Sequence, residues 1–138
     1  SRYEILLENY TKTIQVEALT AVKMLKTQIY PAACDYLGKL SSEVAATKEA
    51  GIPAEFMSDD ALKLAALLKE AKEKLETLEG NIKKAQTSEA DIFDVACMWR
   101  DEVFGMMQSL RETVDAIEEV VDDSYWPIPT YVDLLFGI

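Results

Sequence analysis

The sequence predicts an all-α protein, an up-down-up antiparallel bundle of three long helices followed by an extended, proline-containing tail. Apolar residues recur every three or four positions along most of the 138 residues, the spacing of amphipathic helices. Two short loops, residues 51–57 and a turn around Thr87 and Ser88, separate three such stretches, and short loops make neighbouring helices antiparallel. The length suits one domain with its own core, so we expect a single helical-bundle domain over residues 1–138.

The first predicted helix covers about residues 2–50. Pro31 lies inside it and is expected to kink it, because proline removes one backbone hydrogen bond. Gly51 is the expected residue just past its end, followed by Ile52 and Pro53. The helix would be roughly 70 Å long at 1.5 Å per residue. Its apolar stripe comprises Leu7, Tyr10, Ile14, Ala18, Ala21, Leu25, Ile29, Ala32, Tyr36, Leu40 and Val44.

The start of this helix has no capping residue ahead of it, because Ser1 is the first residue of the sequence. One interpretation is that the sequence is cut from a longer chain, and the other is that Ser1 itself caps the helix. We favour the first.

The second predicted helix covers about residues 58–87, with Ser58 as its N-cap. Its apolar residues follow a heptad spacing: Ala61, Leu64, Leu68, Ala71, Leu75, Leu78, Ile82 and Ala85. Outside the stripe, Glu70 with Lys74 and Glu79 with Lys83 are spaced for ion pairs on a solvated face. Gly80 suggests close packing against a neighbouring helix.

The third predicted helix covers about residues 89–123, and Ser88 with Asp91 resembles a capping box. Its stripe comprises Ile92, Ala96, Trp99, Val103, Met106, Leu110, Val114, Ile117 and Val121. Met98 and Met107 also lie close to Trp99 in the sequence. We interpret this methionine-rich region as a malleable core or interface and not as a cofactor site.

The end of the third helix is acidic. Six acids occur between residues 112 and 123: Glu112, Asp115, Glu118, Glu119, Asp122 and Asp123. Acids oppose the dipole at a helix C-terminus. They either form a solvated end or face bases or a divalent cation supplied by another element. We favour the solvated end, because the oxygen-ligand spacing of a calcium loop is absent.

The tail, residues 124–138, is too apolar to remain undocked. Pro127 and Pro129 favour an extended backbone, and Thr130 is expected to cap a short turn from Tyr131 to Phe136. The first helix is longer than the other two, so its segment from Tyr3 to Leu19 is expected to overhang with an uncovered stripe. The interface candidates are Leu7, Tyr10, Ile14, Trp126, Tyr131, Leu134, Leu135 and Phe136.

Composition excludes several functions. The chain has no histidine, which rules out histidine-dependent triads, phosphorelays and imidazole metal sites. A net charge of −11 argues against partners such as nucleic acid or anionic membranes. Cys34 and Cys97 are expected to be reduced core residues, although one disulfide is the alternative. With no secretory leader or membrane-length apolar run, we expect a cytoplasmic protein.

Five segments carry a resemblance to a known family. They are Ser1-Arg2-Tyr3-Glu4-Ile5, Tyr10 with Ile14-Gln15-Val16-Glu17-Ala18-Leu19-Thr20, Ile29-Tyr30-Pro31-Ala32, Tyr125-Trp126-Pro127-Ile128-Pro129-Thr130-Tyr131, and Asp133-Leu134-Leu135-Phe136. In this order they resemble the C-terminal helical region of type III glutamine synthetase. The tail is the most specific of the five.

The resemblance implies a bacterial or protist enzyme of nitrogen assimilation that joins ammonia to glutamate with ATP and Mg²⁺ or Mn²⁺. It also implies a dodecamer of two stacked hexameric rings, with the catalytic residues in an upstream domain of the same chain. None of those catalytic motifs occurs here. We therefore assign no catalytic, cofactor-binding or metal residue and expect an inactive domain for assembly, stability or regulation. The alternative is a stand-alone helical protein-interaction module.

Overall fold

The computed structural model describes residues 1–128, and every regular element within them is helical, as the sequence predicts. The α-helices are α1 (Arg2–Met24), α2 (Tyr30–Glu49), α3 (Glu55–Thr87), α4 (Ile92–Met98) and α5 (Gly105–Val120). One π-helical turn, Leu25–Ile29, joins α1 to α2, and another, Trp99–Phe104, joins α4 to α5. The described chain therefore has three helical runs: a first run (2–49), a second run (α3) and a third run (92–120). A 3₁₀ turn, Asp123–Tyr125, follows.

Polar contacts relate the three runs to one another. The Lys74 ammonium donates to the Thr113 hydroxyl at 2.8 Å, and the Asn81 amide donates to the Glu102 carbonyl at 2.9 Å. Earlier positions of the second run thus lie beside later positions of the third. An ion pair of 2.7 Å between Lys26 and Glu79 joins the first run to the second.

The core is one apolar cluster drawn from all three runs. Its largest fully buried side chains are Trp99, Leu64, Leu78, Ile117 and Val103. The predicted heptad of the second run is confirmed at seven buried positions: Leu64, Leu68, Ala71, Leu75, Leu78, Ile82 and Ala85. Burial of this stripe, and not intrinsic helix propensity, supplies most of the stability of such helices.

The first run begins with a capping box. The Ser1 hydroxyl accepts a hydrogen bond from the Glu4 backbone N–H at 3.3 Å, and the Glu4 carboxylate accepts one from the Ser1 amino group at 3.3 Å. The expectation that this helix lacks a cap is therefore wrong, because the Ser1 side chain satisfies a free N–H of the first turn.

A π-helical turn ends at Ile29, two residues before Pro31. The Tyr30 N–H donates to the carbonyl of Leu25, five residues back, in place of the usual four. Proline, which cannot donate, then enters the first turn of α2. The kink that we expect at Pro31 stays a prediction.

The first run ends as predicted. Gly51 has φ of +80°, a left-handed conformation that favours glycine. Its N–H donates to the Lys48 carbonyl at 3.0 Å, and the Ile52 N–H donates to the Thr47 carbonyl at 3.2 Å. These two bonds form a Schellman motif.

The second and third runs begin at other residues than predicted. Helix α3 starts at Glu55, and the N–H of Ser58, the predicted cap, donates to the carbonyl of buried Ala54 at 2.9 Å. Burying Ala54 draws the helix start toward the core. In the third run Asp91 is the cap, accepting from the Asp94 N–H at 2.9 Å. Ser88 instead accepts from the Ala90 N–H at 3.2 Å in the preceding turn.

Several predicted side-chain contacts differ in detail. A Cβ placed on Gly80 would meet nothing within 4 Å, so the predicted close packing there is wrong. The Glu70–Lys74 pair is present at 3.0 Å, whereas Glu79 pairs with Lys26 of the first run. That partner lies on another helix, which the spacing of charges within α3 does not reveal.

The remaining residues of interest pack at the edge of the core. Both cysteines are half-buried and unpaired, so neither is the fully buried residue that we expect. Met98, Met106 and Met107 are partly buried against the core that contains Trp99.

No helix within residues 1–128 combines the length and the hydropathy needed to cross a membrane.

Candidate interaction surfaces

The start of the first run exposes an unusual amount of apolar surface. Six large apolar side chains, each at least 42% exposed, lie within its first nineteen residues: Tyr3, Ile5, Leu6, Tyr10, Val16 and Leu19. The helical period divides them between two flanks. Tyr3, Leu6 and Tyr10 form one flank, here called the track. Ile5, Val16 and Leu19 form the opposite flank.

The predicted overhang is shorter than expected. Ile14 is 4% exposed and Ala18 is fully buried, because α4 and the π turn that follows it pack against α1. The prediction of an uncovered stripe as far as Leu19 is therefore wrong from Ile14 onward. The third run begins beside the first run and covers that part of the stripe.

The eight interface candidates separate into three groups. Leu7 is half-buried and Tyr10 is exposed, so both remain accessible. Ile14 and Trp126 belong to the chain's own core. Tyr131, Leu134, Leu135 and Phe136 lie outside the described residues, as does the predicted turn from Tyr131 to Phe136.

The beginning of the tail docks on the bundle itself. The rings of Tyr125 and Tyr36 have centroids 5.2 Å apart at an angle of 59°, a tilted aromatic pair. Trp126 is only 8% exposed, and Ile128 also packs against the core. The Trp126 indole N–H has no hydrogen-bond partner within residues 1–128. Apolar burial therefore holds this segment in place.

A groove of about 410 Å³ lies between the first and third runs. Its first wall consists of Glu17, Ala21, Met24, Leu25 and Ile29, and its second of Phe104, Met107, Gln108, Leu110, Arg111 and Val114. Leu25, Ile29 and Phe104 belong to the two π turns, so both turns border the groove. Such turns occur often at functional sites.

The chemistry of the groove suits binding of an apolar surface. Two methionines and a phenylalanine give it adaptable, polarisable walls. Among the lining residues within 1–128, only Glu17 and Arg111 are charged, one on each wall. No ion pair joins these two residues in the described part of the chain. Within residues 1–128 there is also no group of three His, Cys, Asp or Glu side chains placed to hold a metal ion.

The acidic end of the third run is electrostatically strained. Burial raises the pKa of Glu118, and the charges of Asp115, Asp123 and Glu119 raise it further. The pKa of Asp122 is lowered, because its carboxylate accepts hydrogen bonds from the Ser124 hydroxyl at 2.6 Å and N–H at 2.8 Å.

One base approaches this acidic end from the first run. The charge of Lys39 contributes to the lowered pKa of Asp122. The Lys39 ammonium lies 5.8 Å from the centroid of the Tyr36 ring, which also packs on Tyr125. The sequence of the third run holds no base after Arg111, so this neighbour could be found only from the fold.

The sequence of this chain is similar to those of known proteins. Residues 1–48 match the family model of the glutamine synthetase C-terminal domain. The chain is 30% identical to a glutamine synthetase of Butyrivibrio fibrisolvens over 141 residues, which cover all of this chain and 20% of the relative. It is 27% identical to a glutamine synthetase of Bacteroides fragilis, with 98% and 19% covered. It is 28% identical to the type-3 glutamine synthetase of Dictyostelium discoideum, with 99% and 19% covered. The chain thus spans about a fifth of the length of these relatives.

Proposed function

We propose that this chain is the C-terminal helical domain of a glutamine synthetase similar to the type 3 enzymes. In this proposal the domain is non-catalytic and serves assembly, stability or regulation of the enzyme. One observation carries the proposal: the chain aligns over its whole length with about a fifth of each relative. The sequence without histidine and the exposed apolar start of the first run also support it.

The parent protein in this proposal is a cytoplasmic glutamate–ammonia ligase of nitrogen assimilation. It would use ATP with Mg²⁺ or Mn²⁺ in an upstream catalytic domain and assemble as a dodecamer. The relatives are glutamine synthetases, which supports the ligase activity. This domain itself binds none of those cofactors, nucleic acid or membrane in the proposal.

We also propose that the three runs form an up-down-up bundle. The contacts of Lys74 with Thr113 and of Asn81 with Glu102 support opposite directions for the second and third runs. In this arrangement the first and third runs are parallel. The groove and the track then lie along one side of the domain.

An activity assay tests the non-catalytic role. The purified 138-residue chain, given ATP, glutamate, ammonia and Mg²⁺ or Mn²⁺, is expected to form no glutamine, whereas a full-length relative serves as the positive control. Glutamine formation by this chain alone would contradict the proposal.

The second candidate is an independent helical interaction module, which the methionine-lined groove favours. The reading frame that precedes Ser1 separates the two candidates. A catalytic domain in that frame supports the assembly role. A start codon directly before Ser1, with no catalytic domain, supports the independent module.

A further inference from the structure

We propose that residues 129–138 dock on the chain's own bundle, at the end where α2 and α3 extend beyond the third run. This surface, here called the open end, consists of residues 40–49 of α2 and 55–66 of α3. The inference goes beyond the proposed assembly role and does not depend on it.

The third run is too short to cover all of the second. The Lys74 ammonium donates to the Thr113 hydroxyl at 2.8 Å, so Val120, the last residue of α5, lies near residue 67 of α3. Residues 55–66 of α3 therefore extend past the third run, by about 18 Å at 1.5 Å per residue. Two packed helices without a third layer leave one apolar face open.

The stripes that form the core continue into the open end. Leu40 and Thr47 follow the fully buried Ala33 by seven and fourteen residues. Met57 precedes the fully buried Leu64 by seven residues. Residues seven apart share one face of a helix, yet Leu40, Thr47 and Met57 are only half-buried. Within residues 1–128, the inner face of both helices is thus less covered here than beside the third run.

The chain reaches the open end already in contact with the bundle. The ring centroid of Tyr125 lies 5.2 Å from that of Tyr36 in α2. Trp126 is 8% exposed, and Ile128 packs against the core. Residues 129–138 therefore start beside the surface that we assign to them. A tethered segment meets a neighbouring surface at an effective concentration on the order of millimolar, which favours this occupant over a second copy or another protein.

The length and composition of the segment suit this surface. Ten extended residues reach about 33 Å, which is more than the open end requires. Asp133 is the only charged side chain in the segment. Covering a half-buried helix face removes apolar surface of both partners from water. The segment offers six large apolar side chains for this purpose: Tyr131, Val132, Leu134, Leu135, Phe136 and Ile138.

The proposal changes the role of four interface candidates. In this arrangement Tyr131, Leu134, Leu135 and Phe136 complete the chain's own bundle and are not available to another subunit. The exposed track on the first run then remains for contacts outside the domain.

Disulfide trapping in the 138-residue chain tests the docking. Thr47 lies eleven helical residues after Tyr36, and Thr130 lies five residues after Tyr125, so both distances are about 17 Å if the tail is extended. In a chain that carries Cys34→Ala and Cys97→Ala, we combine Thr47→Cys with Thr130→Cys. This pair is expected to form a disulfide within one chain, because a disulfide requires the two Cα atoms to lie within about 7 Å.

Ala45 provides the matched control. It is exposed and lies two residues before Thr47 in α2, about 160° away around the helix. Ala45→Cys with Thr130→Cys is expected to form the disulfide at least tenfold more slowly. Equal rates for the two pairs would overturn the proposal. A disulfide between two chains, detected by non-reducing electrophoresis, would place the tail on a second copy and also overturn it.

Chymotrypsin cleavage after Tyr131 and Phe136 gives a second test without cysteines. Mass spectrometry is expected to show cleavage of the folded wild type at least tenfold more slowly than of a synthetic peptide of residues 124–138. Met57→Glu places a charge in the open end and is expected to accelerate cleavage about tenfold. Leu62→Glu adds the same charge to α3 at a residue that is 68% exposed, and it should leave the rate unchanged.

Circular dichroism establishes that each variant is folded. Cleavage of the wild type at the rate of the peptide would overturn the docking. Equal acceleration by Met57→Glu and Leu62→Glu would overturn the proposed face. Glutamine formation by this chain would overturn the non-catalytic role and leave the docking standing.

Discussion

Gly80 occupies an interior position of α3 where a side chain would meet open space. Glycine in a helix interior is less favourable than alanine, because it loses more backbone entropy on folding. We expect Gly80→Ala to raise the free energy of unfolding by about 1 kcal/mol. Urea unfolding monitored by circular dichroism measures the change.

Gly51 is the matched control for this substitution. A Cβ at Gly51, like one at Gly80, would meet nothing within 4 Å, but the φ of +80° at Gly51 disfavours any residue with a Cβ. Gly51→Ala should therefore lower the free energy of unfolding, by about 1–2 kcal/mol. Equal effects at both glycines would show that backbone conformation does not decide the outcome.

Trp126 anchors the beginning of the tail. It is 8% exposed, and its indole N–H is without a partner within residues 1–128. Trp126→Ala is expected to lower the free energy of unfolding by about 3–5 kcal/mol, as does the removal of other large buried aromatic side chains. Trp126→Phe should cost less than half as much, because it keeps apolar surface and removes an unsatisfied donor.

A control for the tryptophan lies on the surface. Phe93 is 52% exposed, so Phe93→Ala is expected to change the free energy of unfolding by less than about 0.5 kcal/mol. Urea midpoints compare the variants, with Trp99 as the remaining fluorescent reporter. A Trp126→Ala midpoint equal to that of the wild type would mean that the segment from Asp123 to Ile128 does not stabilise the bundle.

Glu118 and Asp122 should affect stability in opposite directions as pH changes. Burial and neighbouring acids raise the pKa of Glu118, so its ionisation destabilises the folded state as pH rises through that pKa. Glu118→Gln should therefore stabilise the chain at pH 7, with the gain absent by about pH 3. Hydrogen bonds from Ser124 lower the pKa of Asp122, so its contribution is lost as pH falls.

Thermal unfolding between pH 3 and pH 7 measures both effects. Asp122→Asn is the control, because it should lower the melting temperature more at pH 7 than at pH 3. A stabilisation by Glu118→Gln that is equal at both pH values would contradict the electrostatic cause.

Among the elements, the π turns are the least predictable. A π turn shifts the hydrogen-bond register by one residue while the chain stays helical, so the apolar spacing carries little sign of it. The Asn81 amide donates to the carbonyl of Glu102, inside the turn Trp99–Phe104, and so compensates for the altered register. This contact between helices cannot be read from either segment alone.

Asn81→Ala tests how far that contact supports the turn. Leaving a part-buried carbonyl without its donor is expected to cost about 1–3 kcal/mol. Hydrogen exchange should also become faster at the amides of Trp99–Phe104. Gln86 is exposed and lies in α3, as Asn81 does, so Gln86→Ala should change neither the free energy of unfolding nor the exchange rates. If exchange increases equally throughout the chain, the bond does not act on the turn locally.

The sequence predicted the elements better than their ends. The three runs follow from apolar periodicity, because a helix buries residues every three or four positions. Ser58 and Ser88 have the chemistry of caps, yet Ala54 and Asp91 occupy the N-cap positions. The choice among nearby residues depends on which backbone is drawn toward the core, and that is a tertiary property.

The candidate surfaces were predictable only in part. The length of the first helix indicated an exposed start, and the structure confirms it for the track. That Ile14 and Ala18 are covered depends on where α4 meets α1, which no local pattern specifies. The groove likewise pairs residues almost ninety positions apart, such as Met24 and Arg111, so only the folded chain brings it together.

At the scale of the whole molecule, net charge should outweigh individual ion pairs. Ion pairs such as Lys26–Glu79 and Lys39–Glu43 are about half exposed, and such pairs contribute little to stability. The net charge of −11 instead repels itself throughout the compact state. Salt screens both effects, with a screening length of about 10 Å at 0.1 M and 3 Å at 1 M.

We therefore expect the melting temperature to rise between low and moderate salt. Glu112→Lys makes the net charge less negative by two and should reduce that rise. A melting temperature that falls with sodium chloride would mean that the surface ion pairs, and not the excess of acids, dominate the electrostatics of the bundle.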